Sequence, residues 1–287
     1  MIKDFFSVTK FILSFAVSLS ALFAYIMAKG DVGVDMLLAT FSVLLVAMGV
    51  STLNQVQEYK EDSQMERTKN RPIASGRMSP NTGIIIASVL IIASLGLIYS
   101  LLKLQGVIIF MFAFIWYNAM YTPLKKKSAL AVIPGAILGV IPPAIGWLVA
   151  GNSLMELEFI ALGFYYFVWQ VPHFWLLVML HHGDYKNAGY PTVMKFFGQG
   201  SLQRLTFIWL IFTIQAGIFL VSVFEPYTVS VILSIAVAIW TLISSFELLK
   251  KSFQLSNARS VFWKINAAFL AIIIILSIDE YIKHQIA

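Results

Sequence analysis

Asn54–Pro80, NQVQEYKEDSQMERTKNRPIASGRMSP, is the longest strongly charged interval in an otherwise apolar chain. Asn54, Glu58 and Asp62 recur every four residues, so on a helix their side-chain oxygens line one face. Arg67, Lys69, Arg71 and Arg77 follow at once. Two carboxylates at i and i+4 repel each other, and a cation between them relieves that repulsion. Mg2+ suits the pattern, because it takes one or two carboxylates, waters and a substrate's phosphates. The basic residues are then left to meet those phosphates. The competing reading is a solvated, positive-inside connector between two membrane helices, and the spacing alone leaves both open.

The sequence on either side of this interval is apolar. At 59% hydrophobic and 12% charged residues, the composition excludes a soluble globular domain. Nine apolar segments lie near 8–28, 36–56, 81–102, 106–122, 129–150, 156–180, 203–223, 227–249 and 262–281. The expected fold is all-α, a polytopic membrane protein of nine transmembrane helices. No linker or soluble segment separates the spans, so residues 1–287 read as one domain. The apolar run after Lys10 is long enough to span, and Met27-Ala28-Lys29 is a weak cleavage context, so no cleavable signal peptide is expected. The amino terminus does not look like an Arg-rich mitochondrial transit peptide, which makes a prokaryotic cytoplasmic membrane the simplest location. The absence of cysteine excludes disulfides, thiolate metal sites and cysteine nucleophiles.

Charge sets the orientation. With the amino terminus in the cytoplasm, the inside segments carry 17 of the 20 Lys and Arg residues. Only Lys29, Lys103 and Lys283 fall outside, among Asp31, Asp35, Glu156, Glu158, Glu225, Asp279 and Glu280. That is a positive-inside pattern, so the net charge of +6 reflects topology and no nucleic-acid partner is expected. The same orientation puts a second polar loop, HHGDYKNAGYPTVMK (His181–Lys195), on the face of the first, four spans later. Two facing four-helix halves with one polar loop each would explain that spacing, and so would chance. Asp184 can supply an oxygen to a second Mg2+ and Lys186 can meet a diphosphate; an interfacial Asp–Lys pair is the plainer reading.

Three further stretches carry candidate chemistry. In WQVPHFW (Trp169–Trp175), Pro172 frees a backbone carbonyl and bends the sixth span. His173 is an ionisable group at membrane depth: contact with an acceptor, ligation of a haem iron, orientation of a carboxylate and simple packing all remain open. In YNAMYTPLKKKS (Tyr117–Ser128), Tyr117 and Tyr121 share a helix face and Lys125–Lys127 fall near both acidic loops. Phosphate or propionate binding and membrane anchoring explain those lysines equally. PGAILGVIPPAIGW (Pro134–Trp147) has small residues that allow close helix approach, and packing is its first assignment. There is no Walker loop, no GxGxxG after a strand, no HExxH and no Ser-His-Asp motif.

Taken together, Asn54-x-x-x-Glu58-x-x-x-Asp62, MERTKNRP (Met65–Pro72), YTPLK (Tyr121–Lys125), PPAIGW (Pro142–Trp147), WQVPHF (Trp169–Phe174) and DYKNAG (Asp184–Gly189) resemble the UbiA superfamily of intramembrane prenyltransferases. Within it they are most similar to the branch that farnesylates protohaem IX, and the similarity covers nearly the whole chain. The resemblance implies nine helices around a central cavity and two acidic loops that bind Mg2+ and prenyl diphosphate at the cytoplasmic face. It implies Asn54, Glu58, Asp62 and Asp184 as metal ligands, with Asn54, Asp62 and Asp184 essential to catalysis. Arg67, Lys69, Arg71, Lys186 and Lys125 would bind diphosphate, and His173, Trp169 and Tyr121 would meet the acceptor. The substrates implied are farnesyl diphosphate and haem B, drawn from the lipid bilayer, with functional coupling to a haem A synthase or a terminal oxidase.

Two departures qualify the match. Glu58 stands where the superfamily usually has Asp, and Ala188 stands where the second motif usually ends in Asp. The haem branch shares the second loss. A prenyltransferase with another acceptor, such as a quinone precursor, and a membrane transporter are the alternatives.

Overall fold

The computed structural model describes residues 2–286, and among them it is helical with no strand. A short α1 (Ile2–Val8) precedes α2 (Phe11–Lys29) and α3 (Val34–Asp62). Next comes α4 (Pro80–Phe114), which passes through a π-helical stretch, Ile115–Tyr121, into the single turn α5 (Thr122–Leu124). The Pro- and Gly-rich segment folds as a broken run: the 3-10 turns Ala129–Ala131 and Ile137–Val140 alternate with α6 (Val132–Ala136) and α7 (Ile141–Val149). The chain finishes with α8 (Leu157–Leu180), a short α9 (His182–Asn187), α10 (Val193–Phe224), α11 (Thr228–Ser245) and α12 (Ala258–Ile286).

Among the described residues, seven helical runs are long and apolar enough to cross a membrane, which makes this a multi-pass membrane protein. The sequence suggested nine, and the difference lies in two places. The Pro80–Leu124 run contains two of the apolar segments, joined where Lys103 leaves helical geometry at φ 51°, ψ −139°. The segment in α8 is helical, but Gln170, Pro172, His173 and its Trp and Tyr rings dilute its apolar character. Two other boundaries also moved. α3 runs past the apolar segment to Asp62, so the Asn54–Glu58–Asp62 row does sit on one helix. The first span begins after a break, where Lys10 takes a left-handed conformation at φ 48°, ψ 45°.

Close packing follows from residue size and freed backbone groups. A Cβ at Gly146 of α7 would lie 2.0 Å from the Ala21 carbonyl oxygen, so only glycine lets α2 and α7 meet there. This bears out the packing role expected of that stretch. Pro172 cannot donate to the carbonyl of Val168 four residues back, and Trp209 of α10 donates its Nε1–H to that oxygen at 2.8 Å. The last helix returns to the first span: α12 packs on α2, and Ala24, Trp147, Leu162, Leu220 and Ile273 share one buried cluster. At the end of the bundle away from the acidic row, the buried Asp279 carboxylate of α12 accepts from Tyr227 N–H and Ser230 Oγ–H, fixing the start of α11.

Candidate active site

The last turns of α3 bury Asn54, Glu58 and Asp62 to 2%, 4% and 3% exposure. Buried carboxylates persist only where cations or donors satisfy them. Glu58 has three such partners. Asn54 Nδ2 and Lys125 Nζ donate to its Oε2 at 2.9 and 2.7 Å, and the Tyr190 hydroxyl donates to its Oε1 at 3.1 Å. Asp62 receives Arg71 Nη1 at 2.8 and 2.7 Å from its two oxygens. Thr68 Oγ1 donates to the Asp62 carbonyl at 2.8 Å, which holds the turn that folds Arg71 back. Asn54 Nδ2 also donates to Thr122 Oγ1 at 3.2 Å, and Lys10 Nζ donates to Asn54 Oδ1 at 3.2 Å.

Five separate chain segments therefore meet around one helix end. They are the α1–α2 junction, the end of α3, the turn after it, the α4–α5 exit and the segment after α9. The cluster holds three cations, Lys10, Lys125 and Arg71, against two carboxylates, Glu58 and Asp62. Burial, then the charges of Arg71 and Lys125, pull the Lys10 ammonium down to about 7. Burial and the Glu58 carboxylate push the Tyr190 hydroxyl above its ordinary value, so it stays a donor.

The two polar loops touch. Besides Tyr190 on Glu58, the Glu66 backbone N–H donates to Asp184 Oδ1 at 3.2 Å. The lysines after Tyr121 do reach the acidic row, Lys125 at Glu58 and Lys126 at Glu61. Other basic residues lie further out. Lys69 pairs with Glu66 at 2.6 Å, both exposed, and Arg67 and Lys186 are exposed. Arg77 pairs with Asp4 of α1 at 3.0 Å.

Among the described residues, no three His, Asp or Glu side chains form a ready metal-binding group. Asp184 bonds backbone, and Lys125 and Arg71 hold Glu58 and Asp62. The donor chemistry nonetheless suits Mg2+: two carboxylates and an amide oxygen on one helix face are hard ligands, and this ion completes its shell with water and phosphate. Among the described residues, the ion-pair partners of Glu58 and Asp62 are the basic side chains Lys125 and Arg71.

A second group of side chains lies along α8 and α12. Asn266 Nδ2 donates to the Phe262 carbonyl, which turns Oδ1 toward His173 Nδ1 at 2.8 Å. His173 Nδ1 is then the donor, and Nε2 keeps a lone pair. Trp169 stacks on Phe269 with ring centroids 4.0 Å apart, and its ring and that of Phe262 each lie 4.8 Å from His173. Tyr121 belongs to a different ring group, 5.8 Å from Tyr117 and under Lys125 Nζ.

Lys10, Thr122, Tyr190 and Asn266 were not singled out from the sequence. Each meets its partner only in the fold, and Lys10 read as an ordinary inside charge.

The model of the UbiA prenyltransferase family matches residues 3–273. The chain belongs to this family. A protoheme IX farnesyltransferase of Oleidesulfovibrio alaskensis is 30% identical to this UbiA chain over 288 residues, covering 100% of this chain and 99% of the relative. A protoheme IX farnesyltransferase of Geobacter sulfurreducens is 41% identical over 159 residues, 53% of this chain and 56% of the relative. Among solved structures, a UbiA homologue from Archaeoglobus fulgidus bound to GPP and Mg2+ superposes with a TM-score of 0.76. It is 14% identical and covers 97% of this chain and 99% of its own. A structure described for digeranylgeranylglyceryl phosphate synthase gives 0.78 at 16% identity, with 98% of both chains covered. These two likenesses speak for the UbiA fold alone.

Proposed function

We infer that this chain is a single prenyltransferase domain that transfers the farnesyl group of farnesyl diphosphate to a vinyl group of haem B, giving haem O. The observation that carries the diphosphate half is the buried Asn54–Glu58–Asp62 row under Lys10, Lys125 and Arg71, at the end of an apolar bundle. The haem half is supported by the names of the relatives and by His173, whose Nε2 is free beside an aromatic stack. The chain lies in a prokaryotic cytoplasmic membrane with its amino terminus and site toward the cytoplasm, as the distribution of Lys and Arg supports. Functional coupling to a haem A synthase or a terminal oxidase belongs to the same proposal.

Asn54, Glu58, Asp62 and Asp184 would hold Mg2+. When bound, the ion supplies charge neutralisation for a leaving diphosphate. Lys125 and Arg71 turn from the carboxylates to the phosphate oxygens and stabilise the charge that grows there as the allylic C–O bond breaks. The aromatic faces of Tyr117, Tyr121 and Trp169 shield the allylic cation from water and stabilise it through their ring quadrupoles. The vinyl group of haem B attacks this cation, and water captures the porphyrin-side cation with loss of a proton, leaving a hydroxyethylfarnesyl group. Tyr190 and Asn54 keep Glu58 in place while its cation partner moves.

The test is to supply membranes containing the chain with haem B, farnesyl diphosphate and Mg2+. The expected product is haem O. Absence of haem O with prenylation of a quinone precursor would move the chain to another acceptor, and no prenyl transfer at all would sink the reading.

A further inference from the structure

We propose that Lys10 binds the diphosphate directly, delivered to it by α1 acting as a strap across the end of α3. This inference rests on the diphosphate reading of the site. Three observations point to Lys10. Its ammonium sits in the cluster with one hydrogen bond, to the Asn54 amide oxygen, and forms no salt bridge among the described residues, whereas Lys125 and Arg71 each have a carboxylate. An ammonium has three donors, so two remain for an anion. A partly buried ammonium that meets Glu58 and Asp62 only through space, with no carboxylate in direct contact, gains from an anionic ligand.

The backbone supplies the second observation. Lys10 is one of three non-glycine residues with positive φ among the described residues, a conformation that strains an L-residue with a long side chain. Such strain persists only where surrounding structure over-determines it. Here Gln55 Nε2 of α3 donates to the Ser7 and Val8 carbonyls at 3.1 and 2.8 Å, and Thr52 Oγ1 reaches the Val8 carbonyl at 3.3 Å. Arg77 adds an ion pair to Asp4. These bonds clamp α1 to the helix that carries the acidic row. They force the turn at Lys10 that aims its side chain inward rather than along the α2 axis.

The third observation is charge. Without Lys10 the two carboxylates are matched by Lys125 and Arg71 alone; Lys10 is a third basic side chain, with no carboxylate of its own. A diphosphate entering with a metal ion would find that side chain uncommitted to a carboxylate. Lys10 breaks no ion pair to meet it, whereas Lys125 and Arg71 must first leave Glu58 and Asp62. Lys10 is thus suited to first capture, ahead of the two cations that stabilise the leaving group.

The chain has no cysteine, which allows a chemical rescue. Purified Lys10→Cys protein would be compared with wild type for binding of farnesyl diphosphate with Mg2+ and of uncharged farnesol. The expected result is a loss of roughly tenfold or more in farnesyl diphosphate affinity, with farnesol affinity unchanged. Aminoethylation of the new thiol restores an ammonium of lysine length and should restore affinity in the same protein sample, while methylation should not. A Lys10→Cys protein that binds farnesyl diphosphate within twofold of wild type would overturn the proposal, and so would equal rescue by the uncharged group. Failure of wild type itself to bind farnesyl diphosphate would instead overturn the diphosphate reading of the whole site.

Discussion

Trp209 and Pro172 give a double-mutant cycle whose outcome follows from one carbonyl. Pro172 leaves the Val168 oxygen without its helical partner, and the Trp209 Nε1–H supplies one from α10 at 2.8 Å. Trp209→Phe keeps most of the ring and removes that donor. An orphaned buried carbonyl costs about 1–3 kcal/mol, while side-chain hydrogen bonds between membrane helices average about 0.6 kcal/mol because partners also exist in the unfolded state. Here the unfolded helix offers no partner, since Pro172 is still in it, so the expected cost is about 1–1.5 kcal/mol. In a Pro172→Ala background the residue 172 N–H takes the oxygen, and Trp209→Phe should cost only its lost contact with Trp175, whose ring lies 5.7 Å away. The coupling is therefore about 1 kcal/mol, read by far-ultraviolet circular dichroism during SDS titration in mixed micelles. Additivity of the two substitutions within about 0.5 kcal/mol would refute the assignment of Trp209 as the donor that Pro172 requires.

Asp62→Ala should abolish prenyl transfer while the protein still purifies as a folded species; near-wild-type turnover in membranes would remove Asp62 from the catalytic set. Tyr190→Phe loses one bond to a carboxylate and should lower kcat/KM several-fold, about 1 kcal/mol, with no further loss when combined with Glu58→Gln. Gly146→Ala pushes a methyl against the Ala21 carbonyl and should cost about 1–3 kcal/mol or more in the same SDS titration, because backbone cannot step aside as a side chain can. His173→Ala should change the absorption spectrum of haem B added to membranes; a spectrum identical to wild type would argue that His173 does not ligate iron.

What the sequence disclosed, and what it hid, divides by the range of the interaction. The Asn54–Glu58–Asp62 row is a local repeat on one helix, and the helix is there. Lys125 could be placed near the acidic loops because positive-inside charge and loop parity put both at one end. Tyr190 and Lys10 could not: their partners stand 132 and 44 residues away, and no periodicity encodes such a meeting. The kink at Pro172 was legible as a missing donor, yet its repair by Trp209 was not, since any donor on any neighbouring helix would serve. Lys69 shows the converse. It sits in a convincing basic run but leaves with Glu66 into solvent, because the turn after Asp62 points only Arg71 back at the carboxylate.

The packing of α12 on α2 sets the order in which this protein can become whole. A ribosome adds roughly 5–20 residues per second, so roughly 10–50 s pass between the completion of Lys29 and the emergence of Ala258. For that interval the face of α2 that α12 will cover meets lipid or a chaperone instead. The bundle has an open side until the final helix arrives, and a chain arrested before Ala258 would present a complete acidic row on an unsealed bundle.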